Sequence, residues 1–383
     1  MTTQLIDVPA GLKGVAVTET TIGDVRGDEG FYHYRQYDAT ELARERSFEE
    51  VWHLMHAGEL PDQARLADFA KRAAARRALS PRVARALPVI AELAGDNGPL
   101  LALRAAYELF ALDQAMVPWL DITGDALAGQ ALATVAVFPT LVAALHRLSR
   151  GQEPVAPRED LGHVANYLYM LHGTEPDPAR TRALEIYLVS TIDHGFSAST
   201  FTGRAVTSSG ADLGSAVIAA LGSFSGPLHG GAPGRVLDML NEIGEPDNAD
   251  AWVRAALTRG EKLMGFGHAV YRTADPRGVL LSQVAEELGS PRLAVARAVQ
   301  DSAAAAFAEL KPGVPLPTNV EFAAALVLEA TGLPQELFTS TFAVSRVVGW
   351  TAHILEQAAH NKIIRPSARY AGPSPSGAAR GTS

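Results

Sequence analysis

Apolar residues recur at three- and four-residue spacing along most of this chain, the pattern of helices that turn one face to a core. Such periods run through 60–77, 81–94, 99–112, 127–148, 161–171, 178–191, 199–206 and 212–224, with a further helix expected over 235–241. Asn319-Val320-Glu321-Phe322 opens another apolar helix, and 342–355 reads as one more. Asp38-Ala39-Thr40-Glu41 and Ser47-Phe48-Glu49-Glu50 look like helix starts, with acids in the first turn. Two short β-prone runs, 15–20 and 30–35, flank the polar stretch 24–29 and predict one small hairpin. No motif recurs at a fixed period, which argues against a solenoid. The expected fold class is all-α, with a single small N-terminal β-hairpin.

The stretch between Asp125 and His146 carries no charge and approaches a membrane-spanning length. It is rich in Ala, is interrupted by Gly129, Gln130, Thr134, Pro139 and Thr140, and lacks an aromatic belt. A helix buried inside a large helical protein is the expected form. Together with 212–224 it is also the expected dimer interface, since helices apolar all round need cover on every side. The tail 371–383 is built of Gly, Pro, Ser, Thr and Ala with one Arg, and is expected to be disordered.

Composition narrows the class. A chain of 383 residues is long enough for one large domain plus a smaller one. Lys+Arg 33 against Asp+Glu 42 gives a net charge of −9, which disfavours a nucleic-acid or anionic-membrane surface. The chain has no cysteine, so disulfides, thiolate catalysis and Cys-ligated metals are excluded. Its first residues lack a basic-then-apolar signal pattern, and a cytoplasmic enzyme is expected.

Candidate chemistry lies at six places. Gly226-Pro227-Leu228-His229-Gly230-Gly231-Ala232 fixes a histidine between two helices, where proline sets φ and glycine allows close approach of a ligand. His194 ends an apolar helix just before Ser197, an N-cap candidate. His268 follows paired glycines, with Tyr271, Arg272 and Asp275-Pro276-Arg277 close behind. Glu321 is the one acid at the start of its helix, Arg346 lies inside an apolar helix, and Arg365 stands in Ile363-Ile364-Arg365-Pro366-Ser367. Three histidines, a carboxylate and several arginines suit a small dicarboxylate held by Arg forks, with proton transfer between them. A metal reading finds no His-Glu-x-x-His; His353, Glu356 and His360 share a helix face but are expected to be an exposed polar stripe. Neither a Walker pattern nor a Gly-x-Gly-x-x-Gly after a strand supports nucleotide binding.

In this order, Gly-Pro-Leu-His-Gly-Gly-Ala, Gly-Phe-Gly-His-x-Val-Tyr-Arg-x-x-Asp-Pro-Arg, Asn-Val-Glu-Phe and Ile-Ile-Arg-Pro-Ser resemble the citrate synthase family, over about 11–372. The short length and the Asn-Val-Glu-Phe variant resemble the second citrate synthase that some bacteria carry. The resemblance implies a Claisen condensation of acetyl-CoA with oxaloacetate followed by thioester hydrolysis, without metal or redox cofactor. It implies Glu321 as the base, His229 as donor to the thioester oxygen, and His268 as the group that polarises the ketone. His194, Arg277, Arg346 and Arg365 match oxaloacetate-binding positions, Arg365 reaching across a homodimer interface, and Arg272 matches a CoA-phosphate contact. It further implies a large domain of 1–229 and 333–370, a small domain of 230–332, and a cleft between them that closes on substrate. The chain departs from the family at Glu321, usually Asp, and at Ser197, usually Asn. Propionyl-CoA, giving 2-methylcitrate, is the alternative substrate; a low-turnover oxaloacetate- or CoA-binding sensor or subunit is the alternative of another class.

Overall fold

A computed structural model describes residues 5–95, 98–226, 229–230, 233–267, 271, 273–310 and 318–373. Its sheet is small and antiparallel, in the order β1 (Gly23–Arg26), β2 (Phe31–Tyr34), β3 (Tyr37–Asp38). Helices make up most of the rest. The first helices are α1 (Ala39–Glu45), α2 (Phe48–Ala57), α3 (Gln63–Ala74), α4 (Pro81–Ala94), α5 (Pro99–Asp113) and α6 (Gly124–Ser149). There follow α7 (His163–His172), α8 (Pro178–Ser190), α9 (Ala198–Ser208), α10 (Leu213–Phe224) and α11 (Pro233–Ile243). The last are α12 (Ala249–Thr258), α13 (Pro276–Glu287), α14 (Leu293–Leu310), α15 (Val320–Ala330) and α16 (Phe338–Ala359).

Local chemistry explains where helices begin. Asp38 accepts the N–H groups of Thr40 and Glu41, and Ser47 with Glu50 forms a reciprocal capping box. Ser80 and Asp177 cap α4 and α8, each followed by a proline at the first helical position, where no N–H is needed.

The axis of the molecule is α16. It is buried from Phe338 to Ile354 except at Thr339, and it packs against α2, α6, α8, α9 and α10. Helix α6 is buried on all sides from Ala131 to Leu145 by its neighbours α4, α5, α7 and α16. The expectation that it forms a dimer interface is therefore corrected: its apolar surface is already covered within one chain. The core-helix reading of this segment stands. Helices α11 to α15 pack largely on one another and meet the rest through α1, α8 and α16.

The hairpin also needs correction. The first strand is Gly23–Arg26, not 15–20, and a third strand joins it. Register decides this: Gly23 pairs with Tyr34, and a Cβ at Gly23 would lie 2.3 Å from the His33 carbonyl oxygen, so only glycine fits there. That register buries Tyr32 and Tyr34, whose hydroxyls donate to the carbonyls of Ser190 and Val189. The run 15–20 offers no such pair of anchors and stays largely exposed. Of the tail expected to be disordered, 374–383 lies outside the described residues.

Candidate active site

One cavity of about 520 Å³ is lined by His194, His229, Arg277, Glu321 and Arg346. Three helix starts converge on it. Ser197 caps α9 by accepting the Thr200 N–H, Asp275 caps α13 by accepting that of Arg277, and Asn319 caps α15 by accepting that of Glu321. Helix N-termini present N–H groups and positive partial charge, so their convergence favours an anion.

The two buried arginines differ. Arg277 forks onto Asp275, with Nε to Oδ1 at 3.0 Å and Nη2 to Oδ2 at 2.8 Å. Burial pulls its guanidinium down, but the Asp275 carboxylate overrides this and holds it above its ordinary value. Arg346 donates from Nε to the Thr191 carbonyl at 2.9 Å and stacks over Phe342 at 4.7 Å. Burial lowers its pKa, and Asp193 restores only part of it from a distance. Among the described residues no carboxylate lies within ion-pair reach of Arg346.

His229 is set by Ser199. The Ser199 hydroxyl lies 2.7 Å from His229 Nε2 and receives the Trp350 Nε1–H at 3.0 Å. The Ser199 backbone N–H, which can only donate, points at Nε2 from 3.3 Å. Nε2 is thus an acceptor, and the neutral ring carries its proton on Nδ1. Burial, followed by the charge of Arg346, lowers its pKa to about 4, so it is neutral at physiological pH.

Glu321 sits in the first turn of α15, and among the described residues nothing donates a hydrogen bond to its carboxylate. Burial raises its pKa to about 7; Arg277 pulls down and Asp275 pushes up. A carboxyl balanced near neutrality is suited to general acid–base work. His194 Nε2 lies 2.9 Å from the Tyr271 hydroxyl, and its ring packs against Tyr32.

Five of the proposed site residues therefore meet in one place. His268 and Arg272 lie outside the described residues. Arg365 does not join this cavity; it lines a separate one of about 770 Å³, with Leu5, Ile6 and Ile363 among its neighbours. Ser197 spends its hydroxyl on the α9 cap and on contacts to Ser199 and Thr200. The exposed stripe expected on α16 holds only for His360, which is exposed: His353 is buried, 3.1 Å from Arg204 and 3.4 Å from Asp193, while Glu356 pairs with Arg204. The reason is remote in sequence, since α9 and the turn before it supply the partners. Among the described residues no group of three His, Asp or Glu is placed to hold a metal ion.

Sequence reasoning passed over Tyr32, Asp193, Ser199 and Trp350, which hold the site residues in place. Ser199 had a signal, standing five residues after His194 in a polar run; the hairpin tyrosines had none, because their partners are more than 150 positions away.

A mainly helical fold that aims two buried arginines and three helix starts at one cavity, beside a neutral histidine and a near-neutral carboxyl, defines an acid–base site for a small polyanion. Residues 11–367 match the family described as "Citrate synthase, C-terminal domain". The chain is 39% identical to the citrate synthase of Haloferax volcanii over 96% of both chains, and 37% identical to citrate synthase 2 of Bacillus subtilis over 95% of both. It is also 39% identical to the 2-methylcitrate synthase of Mycobacterium tuberculosis, over 96% of this chain and 91% of that one. The crystal structure of citrate synthase from Pyrobaculum aerophilum superposes with a TM-score of 0.84 at 36% identity, covering 98% and 96% of the two chains. A ternary complex of carboxymethyl coenzyme A and oxaloacetate with the citrate synthase of Thermoplasma acidophilum gives 0.88 at 26% identity, over 96% and 97%. The chain belongs to the citrate synthase family.

Proposed function

We propose that this protein condenses acetyl-CoA with oxaloacetate and hydrolyses the resulting thioester, releasing citrate and CoA. The observation that carries the reading is the meeting of His194, His229, Arg277, Glu321 and Arg346 around one cavity. In this reading Glu321 takes a proton from the acetyl methyl group, and the Nδ1–H of His229 donates to the thioester oxygen as the enol forms. A donor fixed in place before charge develops is the cheapest kind of stabilisation. The enol carbon then attacks the oxaloacetate ketone, polarised by His268, which gives its proton to the alkoxide. Water finally cleaves the citryl thioester, with CoA thiol as leaving group. Arg277, Arg346 and His194 hold the two carboxylates of oxaloacetate, and Arg272 holds a CoA phosphate. Neither a metal nor a redox cofactor is required by this sequence of steps.

The same proposal includes a homodimer in which Arg365 of one protomer completes the site of its partner. Sedimentation at micromolar concentration reads this directly, and a monomer would place Arg365 outside the chemistry. It also includes a large domain of 1–229 and 333–370, with a small domain of 230–332 that closes on it. Closure keeps the enol and the citryl thioester from bulk water. The setting is the cytoplasm.

The test is release of free CoA thiol by the purified chain. Release that requires both oxaloacetate and acetyl-CoA is expected. Faster release with propionyl-CoA would assign 2-methylcitrate synthesis instead, a reading consistent with the 39% identity to such an enzyme, which equals that to the Haloferax citrate synthase. No release with either thioester would leave a binding protein.

A further inference from the structure

The wall opposite the arginines comes from the N-terminal hairpin, which contributes nothing to the motifs of the site. Val25 of β1 lines the same cavity as His194, Arg277 and Arg346. Along β1 exposure alternates, with Val25 half-buried and Asp24 and Arg26 exposed, Asp24 also reaching the rim of the cavity. Val25 pairs directly with Tyr32 on β2, which places both side chains on one face of the sheet. That face looks at the arginines and at the histidine turn: the Tyr32 ring lies 5.7 Å from the His194 ring, and the Arg277 guanidinium carbon is 5.9 Å from it. Val25 itself bears on the turn after His194. A Cβ added at Gly195 would come within 3.2 Å of Val25 Cγ2, and Gly195 has φ +62, so this close approach rests on glycine.

From this geometry we infer that Val25 is a specificity-determining residue that limits the length of the 2-oxo diacid the site accepts. The inference rests on the reading of the cavity as the oxaloacetate site. The arginines fix the carboxylates, Tyr32 is immobilised by its hydrogen bond to the Ser190 carbonyl, and Val25 is the apolar, partly exposed group that the hairpin adds to Phe196, Val320 and Phe342 in setting the remaining space. A branched side chain on a paired strand is stiff and cannot swing aside for an extra methylene.

The experiment compares the full-length wild type with Val25→Ala and Val25→Leu. For each, the KM for oxaloacetate and the inhibition constant of 2-oxoglutarate against oxaloacetate are measured in the CoA-release assay. 2-Oxoglutarate carries the same end groups one methylene further apart. Val25→Ala should tighten 2-oxoglutarate by about tenfold, the discrimination one methylene commands in an apolar pocket, with the oxaloacetate KM changed less than about threefold. Val25→Leu should raise the oxaloacetate KM by a comparable factor. An unchanged inhibition constant in Val25→Ala together with an unchanged KM in Val25→Leu overturns the role of Val25 and leaves the site reading intact. A wild type that releases no CoA with oxaloacetate overturns both.

Discussion

Arg277 and Arg346 enter the cavity from different parts of the fold, and their charges are balanced in opposite ways. Arg277, in the first turn of α13, has a dedicated counter-ion: Asp275 holds its fork at two points and also accepts the Val320 N–H at 3.2 Å. Arg346, in the middle of α16, is just as buried but is bonded at Nε to a carbonyl and stacked on Phe342. Burying a cation without a close partner is expensive, and its lowered pKa reports that expense. The first arginine is part of the scaffold that ties α13 to α15. The second carries charge that an anionic ligand is left to satisfy. A dianion entering the cavity would thus find one carboxylate site pre-organised and another that gains most from its arrival.

Stability separates the two most strongly. Methionine keeps most of the volume of either side chain without its charge. Arg277→Met takes the guanidinium fork away from a buried carboxylate, and should lose about 3 kcal/mol in chemical denaturation. Arg346→Met removes one hydrogen bond and a cation that Asp193 compensates only in part, so its loss should stay within about 1 kcal/mol. Equal losses would break the comparison. Ligand-linked stabilisation sharpens it: oxaloacetate at a hundred times its Kd should raise wild-type stability by about 2.7 kcal/mol. Arg346→Met, nearly as stable as wild type without ligand, should show none of that gain at the same concentration.

This contrast was only half legible in the sequence. Asp275-Pro276-Arg277 is contiguous, so a capped helix start bearing an Asp–Arg pair could be read locally. The state of Arg346 depends on Thr191, Asp193 and Phe342, and the first two are brought to it by the packing of α8 against α16. The same rule governs the rest. The helix of 81–94 falls where its Ser80 cap and Pro81 put it, and the starts at Asp38 and Ser47 are fixed by side chains within three residues. The first strand was misplaced because register, set by Tyr34 and Gly23, outweighs local β propensity. His353 was misread for a similar reason, since a polar residue near a helix end looks exposed until Arg204 and Asp193 arrive from elsewhere.

The smallest effect concerns Glu321, which feels both members of the Arg277–Asp275 pair. Burial raises its pKa to about 7, Arg277 lowers it and Asp275 raises it, so the pair pulls in opposite directions and burial prevails. As the base it must be ionised, so kcat/KM should be flat above about pH 7 and fall roughly tenfold per unit below it. Stability follows with the opposite preference. Between the ordinary carboxylate pKa and about 7, the unfolded chain ionises Glu321 while the folded chain keeps the proton. Rising pH therefore removes stability across that window and no more above it. Glu321→Gln has no such penalty: its advantage over wild type should be near zero at pH 4 and reach about 1–2 kcal/mol at pH 8, after discounting for contact with cavity water. Asp275→Asn is the decisive variant, because it keeps the cap and the shape but removes the negative charge that Asp275 sets beside Arg277 and Glu321. An unmasked Arg277 should pull Glu321 down, shifting the acid limb of the kcat/KM profile to lower pH, whereas Arg346→Met should move that limb much less. An acid limb that stays in place in Asp275→Asn would mean that Arg277 and Asp275 do not set the charge of Glu321, and that its proton affinity comes from burial alone.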